Sequence, residues 1–99
     1  MNYDEFVVKL INGTKSNNIN WKRCQSRKFP HYYPAYETKK GDNILVVQKL
    51  QYSNEDPYGD SYTTIGAEIS ICSINYEILS EIYESDLQNE SNLLRLYRI

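Results

Sequence analysis

The nearest thing in this sequence to a nucleophilic pair is Cys24 with His31, seven residues apart. A cysteine nucleophile needs an orienting third group and donors for an oxyanion, and no spacing in the chain points to either. His31 is the only histidine and Cys72 the only other cysteine, so a zinc site would draw its ligands from scattered positions. The run Asn54-Glu55-Asp56-Pro57-Tyr58-Gly59-Asp60 gathers three acids and a glycine. It lacks the longer ligand spacing and terminal bidentate glutamate of a calcium hand. Glu77, Glu81 and Glu84 stand at helical spacing, but a hydrolytic carboxylate pair works across a cleft between elements, and these are expected on a solvated face. The glycines at 13, 41, 59 and 66 are isolated, which excludes a phosphate loop and a dinucleotide fingerprint. The expectation is therefore a non-enzymatic protein without metal or cofactor.

Binding chemistry is better represented. From Trp21 to Tyr33 the chain interleaves bases with aromatics: Trp21, Lys22, Arg23, Arg27, Lys28, Phe29, His31, Tyr32, Tyr33. Cations for phosphate beside rings for stacking is the mixture that single-stranded nucleic acid selects. It equally suits contact with an acidic protein surface. Between Lys15 and Lys40 seven bases face one acid, Glu37, whereas from Gly41 onward ten acids face three bases. The net charge of −2 thus conceals a basic first half and an acidic second half, which either meet different partners or pair within the fold. A sequence pI near 5.3 places nucleic-acid binding second, since dedicated nucleic-acid domains are usually basic. The candidate binding residues are Arg23, Arg27, Lys28, Tyr32 and Tyr33 in the basic segment, and Asp56, Tyr58 and Asp60 in the acidic loop.

Those residues need elements to hold them. Asn2 followed by Glu5 has capping-box spacing, and Tyr3, Phe6, Val7, Leu10 and Ile11 fall on one helical face. Asn12-Gly13 is the expected left-handed stop. Ile19, Trp21 and Arg23 alternate as a short strand that carries Trp21 inward. Pro30 and Pro34 confine the following aromatic stretch to an edge strand or irregular chain. Lys39-Lys40-Gly41-Asp42-Asn43 reads as a hairpin turn, Ile44 to Tyr52 as a strand, and Asn54 to Asp60 as a loop. Thr63, Ile65, Ala67, Ile69 and Ile71 alternate with polar neighbours, the cleanest strand pattern in the chain. It is placed centrally, beside Ile44–Tyr52. Asn75 is expected to cap a second helix whose stripe is Ile78, Leu79, Ile82 and Tyr83. Leu93, Leu96 and Tyr97 are spaced for a last helical turn, with a strand through Leu94, Leu96 and Arg98 as the alternative.

The whole predicts one α+β domain over residues 1–99. It has two layers: an N-terminal helix, a three- to four-stranded antiparallel sheet, and a C-terminal helix or helices. Ninety-nine residues support one compact core. Ten tyrosines against two phenylalanines and one tryptophan suit strand surfaces and interfaces, where the ring packs and the hydroxyl stays paired or wet. No apolar run approaches the ~20 residues of a membrane helix and no secretory leader is visible. A cytoplasmic location with reduced, mostly buried thiols is expected.

The pattern Phe6-x3-Leu10-x3-Thr14-x4-Ile19-x-Trp21, then tyrosine-rich chain, meander strands and Leu93-x2-Leu96-Tyr97, resembles a group of small bacterial and phage proteins. They share a helix, a Thr…Ile-x-Trp turn into a strand, a short antiparallel sheet and a closing helix. The resemblance implies that architecture and a phage or mobile-element setting, and it implies no activity. The functional expectation is a regulator, inhibitor or accessory factor that binds another protein. Single-stranded nucleic-acid binding through residues 21–33 is the alternative, and a small-ligand binder or enzyme without an identifiable site is the third. A homodimer through an exposed edge strand is compatible with each.

Overall fold

The computed structural model describes residues 2–24 and 33–98, with Tyr52 described for its backbone only. Of the candidate residues, Arg27, Lys28, His31 and Tyr32 lie outside the described residues. The chain begins with helix α1, Tyr3–Lys15. Asn2 caps it, its side-chain oxygen accepting from the N–H groups of Asp4 at 2.9 Å and Glu5 at 3.3 Å. Val7, Leu10 and Ile11 form its buried face, as the spacing predicts.

The helix runs two residues past the expected Asn12-Gly13 stop, and the left-handed residue is Asn17 (φ 64°). The returning chain accounts for this. Asn18 and Ile19 both donate their N–H groups to the Gly13 carbonyl, at 2.9 and 3.0 Å. Gly13 thus serves as the floor on which that chain packs.

Among the described residues five strands come next and form one antiparallel sheet in sequence order: β1 Lys22–Arg23, β2 Tyr36–Lys40, β3 Asn43–Glu55, β4 Ser61–Cys72 and β5 Ile78–Tyr83. The β2–β3 turn falls at Gly41 and Asp42, with Gly41 at φ +61°, which glycine adopts without steric cost. β3 and β4 pair along their length, from Ile44 opposite Cys72 to Glu55 opposite Ser61.

The sheet is larger than the three to four strands expected, because residues 78–83 are a strand and not a helix. Ile78 and Ile82 stand at i, i+4, which mimics a helical stripe, yet only Ile82 is buried while Ile78 and Leu79 are exposed. These residues instead complete the free edge of β4, pairing from Glu68–Tyr83 to Cys72–Ile78. Tertiary pairing of this kind overrides local propensity. Asn75 accordingly caps nothing: it sits in a tight turn where the Ser73 hydroxyl accepts from the N–H groups of Asn75 and Glu77. A short 3-10 helix, Glu84–Asp86, leads to α2, Ser91–Tyr97, so the last turn is helical, as the spacing of Leu93, Leu96 and Tyr97 predicts.

The two helices cover one face of the sheet. Val7, Leu10 and Ile11 of α1 and Leu93 and Leu96 of α2 join Leu45, Val47, Ala67, Ile69 and Ile82 in the main core. The Asp4 carboxylate accepts from the N–H groups of Gln88 and Asn89 at 3.1 Å, tying the start of α1 to the approach of α2. The opposite face carries a smaller cluster of Ala35, Ile44, Val46 and Cys72, with Cys24 and Tyr76 packed against it. No helix among the described elements is long and apolar enough to cross a membrane.

Candidate functional site

Trp21 is fixed before it does anything else. Its indole N–H donates to Thr14 Oγ1 at 2.9 Å, and that hydroxyl donates to the Leu10 carbonyl at 2.7 Å. The relay pins the ring to the last turns of α1, just ahead of β1. Antiparallel register then sets Arg23 opposite Tyr36 and Tyr36 opposite Val47. Directly opposite residues share a sheet face, so Arg23, Tyr36 and Val47 lie together on the helix-covered side. The end of α2 arrives over them. The Tyr97 ring sits 5.7 Å from that of Tyr36 at a 55° tilt, and its hydroxyl donates to the Pro34 carbonyl at 2.6 Å.

Between these groups is a cavity of about 310 Å³ lined by Trp21, Tyr36, Val47, Leu96, Tyr97 and Arg98. Its volume falls at the small end of the range for ligand and side-chain pockets. Cations surround the rings. Lys49 Nζ lies 4.6 Å from the Tyr33 ring centroid and 6.0 Å from that of Tyr97, within cation–π reach. Burial pushes the Tyr97 hydroxyl above the ordinary tyrosine range, Tyr36 adds to the rise, and the Arg23 charge partly opposes it. The site is therefore aromatic in its walls and positive at its rim through Arg23, Lys49 and Arg98.

Of the candidate residues, Arg23 and Tyr33 stand beside this cavity without lining it, Arg23 opposite Tyr36 in the sheet and Tyr33 against Lys49. Asp56, Tyr58 and Asp60 do not: they form the tip of the β3–β4 hairpin. The acidic loop is thus a built turn. The Asp56 carboxylate accepts from the N–H groups of Tyr58 and Asp60, both at 2.9 Å, and Asp56 N–H donates to the Asp60 carbonyl. Tyr36, Lys49, Leu96, Tyr97 and Arg98 were not singled out from sequence, because their contribution depends on strand register and on where α2 lands.

The other sheet face holds a buried polar seam. Gln48 Nε2 donates to Glu68 Oε1 at 2.7 Å, and Gln48 Oε1 has no hydrogen-bond partner among the described residues. Burial pushes the Glu68 carboxyl up, nearby Glu81 pushes the same way, and the Gln48 bond partly offsets both. Tyr76, left-handed at φ 65°, folds back across this face. Its hydroxyl lies 2.7 and 2.9 Å from the two oxygens of the buried Glu37 carboxylate, to which it donates. That bond, followed by burial, pushes the Tyr76 hydroxyl up to about 12.

Among the described residues, no three histidine, cysteine or acidic side chains are gathered as a metal site. Neither a protein-family model, nor a curated protein, nor a solved structure matches the chain.

Proposed function

We propose that this chain is a small non-enzymatic protein-interaction module, a regulator, inhibitor or accessory factor, whose docking site is the cationic aromatic cavity. The observation that carries the reading is the convergence of Trp21, Tyr36, Tyr97 and Arg98 on one cavity. Tryptophan, tyrosine and arginine are the residue types that dominate binding energy at protein interfaces, where they cluster in desolvated pockets. The rim charge of Arg23, Lys49 and Arg98 selects the partner: an acidic segment carrying an aromatic or aliphatic side chain that fills the cavity. Complementary charge of this kind raises the association rate and excludes wrong partners more than it adds affinity. The cytoplasm and a phage or mobile-element setting fit this reading, the second through the resemblance alone.

Single-stranded nucleic acid is the second reading, favoured by Lys49 standing against Tyr33. It ranks lower because Tyr97 is tilted onto Tyr36 and tethered through its hydroxyl, whereas base stacking needs an open ring face.

The experiment is a tagged pull-down with the wild-type chain and a variant carrying Arg23→Glu, Lys49→Glu and Arg98→Glu, with and without nuclease. A discrete acidic protein retained by wild type after nuclease, and lost by the variant while its circular dichroism is unchanged, supports the reading. Retention by the folded variant overturns it. Material lost on nuclease treatment moves nucleic acid to first place.

A further inference from the structure

The β3–β4 hairpin is longer than the sheet that supports it. β2 pairs with β3 only as far as Val47, and β5 pairs with β4 only as far as Glu68. Beyond those points residues 49–55 and 61–67 have no strand partner but each other among the described residues. Six residues past Lys49 at the rise of a strand make an arm of roughly 20 Å, in a molecule 48 Å in its longest dimension. An isolated two-stranded ribbon is marginal in water, yet this one is organised to its tip. Asn54 Nδ2 donates across the strands to Thr64 Oγ1 at 2.8 Å. The Asp56 carboxylate closes the turn, and Gly59 supplies the positive φ of +86° that it needs. At the end stands Tyr58, 90% exposed.

A fixed turn that holds a tyrosine in solvent is a preorganised anchor, since little further ordering is lost when it docks. Around it are Glu55, Asp56 and Asp60. An acidic segment presenting an aromatic ring is the chemistry that the cavity of Trp21, Tyr36, Tyr97 and Arg98 selects, with Arg23 and Lys49 at its rim. Both halves of that match are present on one chain.

We propose that the β3–β4 arm docks through Tyr58 into the cationic aromatic cavity of a second copy of this chain. The inference rests on the reading of that cavity as a docking site. The contact is heterologous, plug into socket, so each copy can give one and receive one. The arm tip is small beside the ~800 Å² per partner of a standard interface. The association is therefore weak, with a dissociation constant on the order of 100 µM. A stronger acidic partner would compete with the arm for the same cavity.

Sedimentation velocity from about 10 µM to about 1 mM tests this, at about 50 and about 300 mM salt. Wild type should gain mass with concentration, and less at the higher salt. Tyr58→Ala, which lacks the plug, and Arg98→Glu, which spoils the socket, should each remain monomeric. Mixed, they should form a one-to-one pair that grows no further, because one intact plug meets one intact socket. A wild type that stays monomeric at about 1 mM overturns the proposal. So does association that persists in Tyr58→Ala, which would point to edge-strand pairing, or a mixture that stays apart where wild type associates. Binding of an acidic tyrosine peptide at Trp21 separates the two failures. If it persists while wild type is monomeric, the cavity reading stands and self-docking falls. If it too is absent, both fall.

Discussion

Replacing Gly13 with alanine should destabilise this protein, although alanine is the better helix former. Gly13 lies within α1, where alanine in its place would ordinarily add about 1 kcal/mol through helix propensity. A Cβ there would stand 2.6 Å from Ile19 Cδ1 and 2.9 Å from Ile19 Cγ1, both well inside normal contact. Overfilling a packed site costs about 1–3 kcal/mol. Ile19 cannot retreat freely, because its N–H and that of Asn18 are bonded to the Gly13 carbonyl. The expected balance is a net loss of about 1 kcal/mol, or about 4–8 °C in Tm for a domain of this size. Ile19→Val removes Cδ1 and should alone cost about 0.5–1.5 kcal/mol. In the Gly13→Ala background it should cost little or nothing, a favourable coupling of about 1 kcal/mol. Urea unfolding followed by far-ultraviolet circular dichroism and by Trp21 fluorescence measures all four corners of the cycle. Because the Ile19 turn leads into Trp21, the Gly13→Ala variant should also shift the native emission. Gly13→Ala gaining the full propensity benefit, with the two changes additive, would refute the close-approach argument.

Two further outcomes concern the opposite sheet face. Glu68 is held protonated more tightly in the folded chain than in the unfolded one, so its penalty is absent below the ordinary carboxylate range and grows as pH rises through the raised folded value. Glu68→Gln should therefore raise Tm at neutral pH and lose that advantage near about pH 4; an equal gain at both values would contradict the assignment. Tyr76→Phe leaves the buried Glu37 carboxylate without its donor and should cost about 1–3 kcal/mol at neutral pH. Because the Tyr76 value is raised to about 12, that cost should hold below the ordinary tyrosine range and shrink above it. Tyr97 is raised as well, so ultraviolet titration should show one fewer late-ionising tyrosine in the variant than in wild type.

Much of the fold was legible because local signals and tertiary demands agreed. The stripe Phe6–Val7–Leu10–Ile11, the turn at Gly41 and the alternation from Thr63 to Ile71 each had one reading. Residues 78–83 did not: Ile78 and Ile82 fit a helical period, and only the open edge of β4 decides for a strand. Asn12-Gly13 misled for a similar reason, since Gly13 is required by the approach of Ile19 and not by a left-handed turn. The site was half visible. Arg23 and Tyr33 stood out because bases and rings adjoin in sequence. Tyr36, Tyr97 and Arg98 line the cavity beside them from β2 and the end of α2, a juxtaposition fixed by register and by the tether from Tyr97 to Pro34. The acidic loop was legible as composition; that Asp56 closes it into a hydrogen-bonded turn presenting Tyr58 is a property of backbone geometry.

Trp21 is the only tryptophan in the chain and a wall of the cavity, so its emission reports on the central claim directly. The measurement is a fluorescence titration with a short peptide carrying one tyrosine among acids, beside a control in which the acids are replaced by their amides. A saturable change for the acidic peptide, weakened by salt and lost in Arg98→Glu, is the predicted result. No change up to millimolar peptide on folded protein, or an equal response to the control, would contradict it.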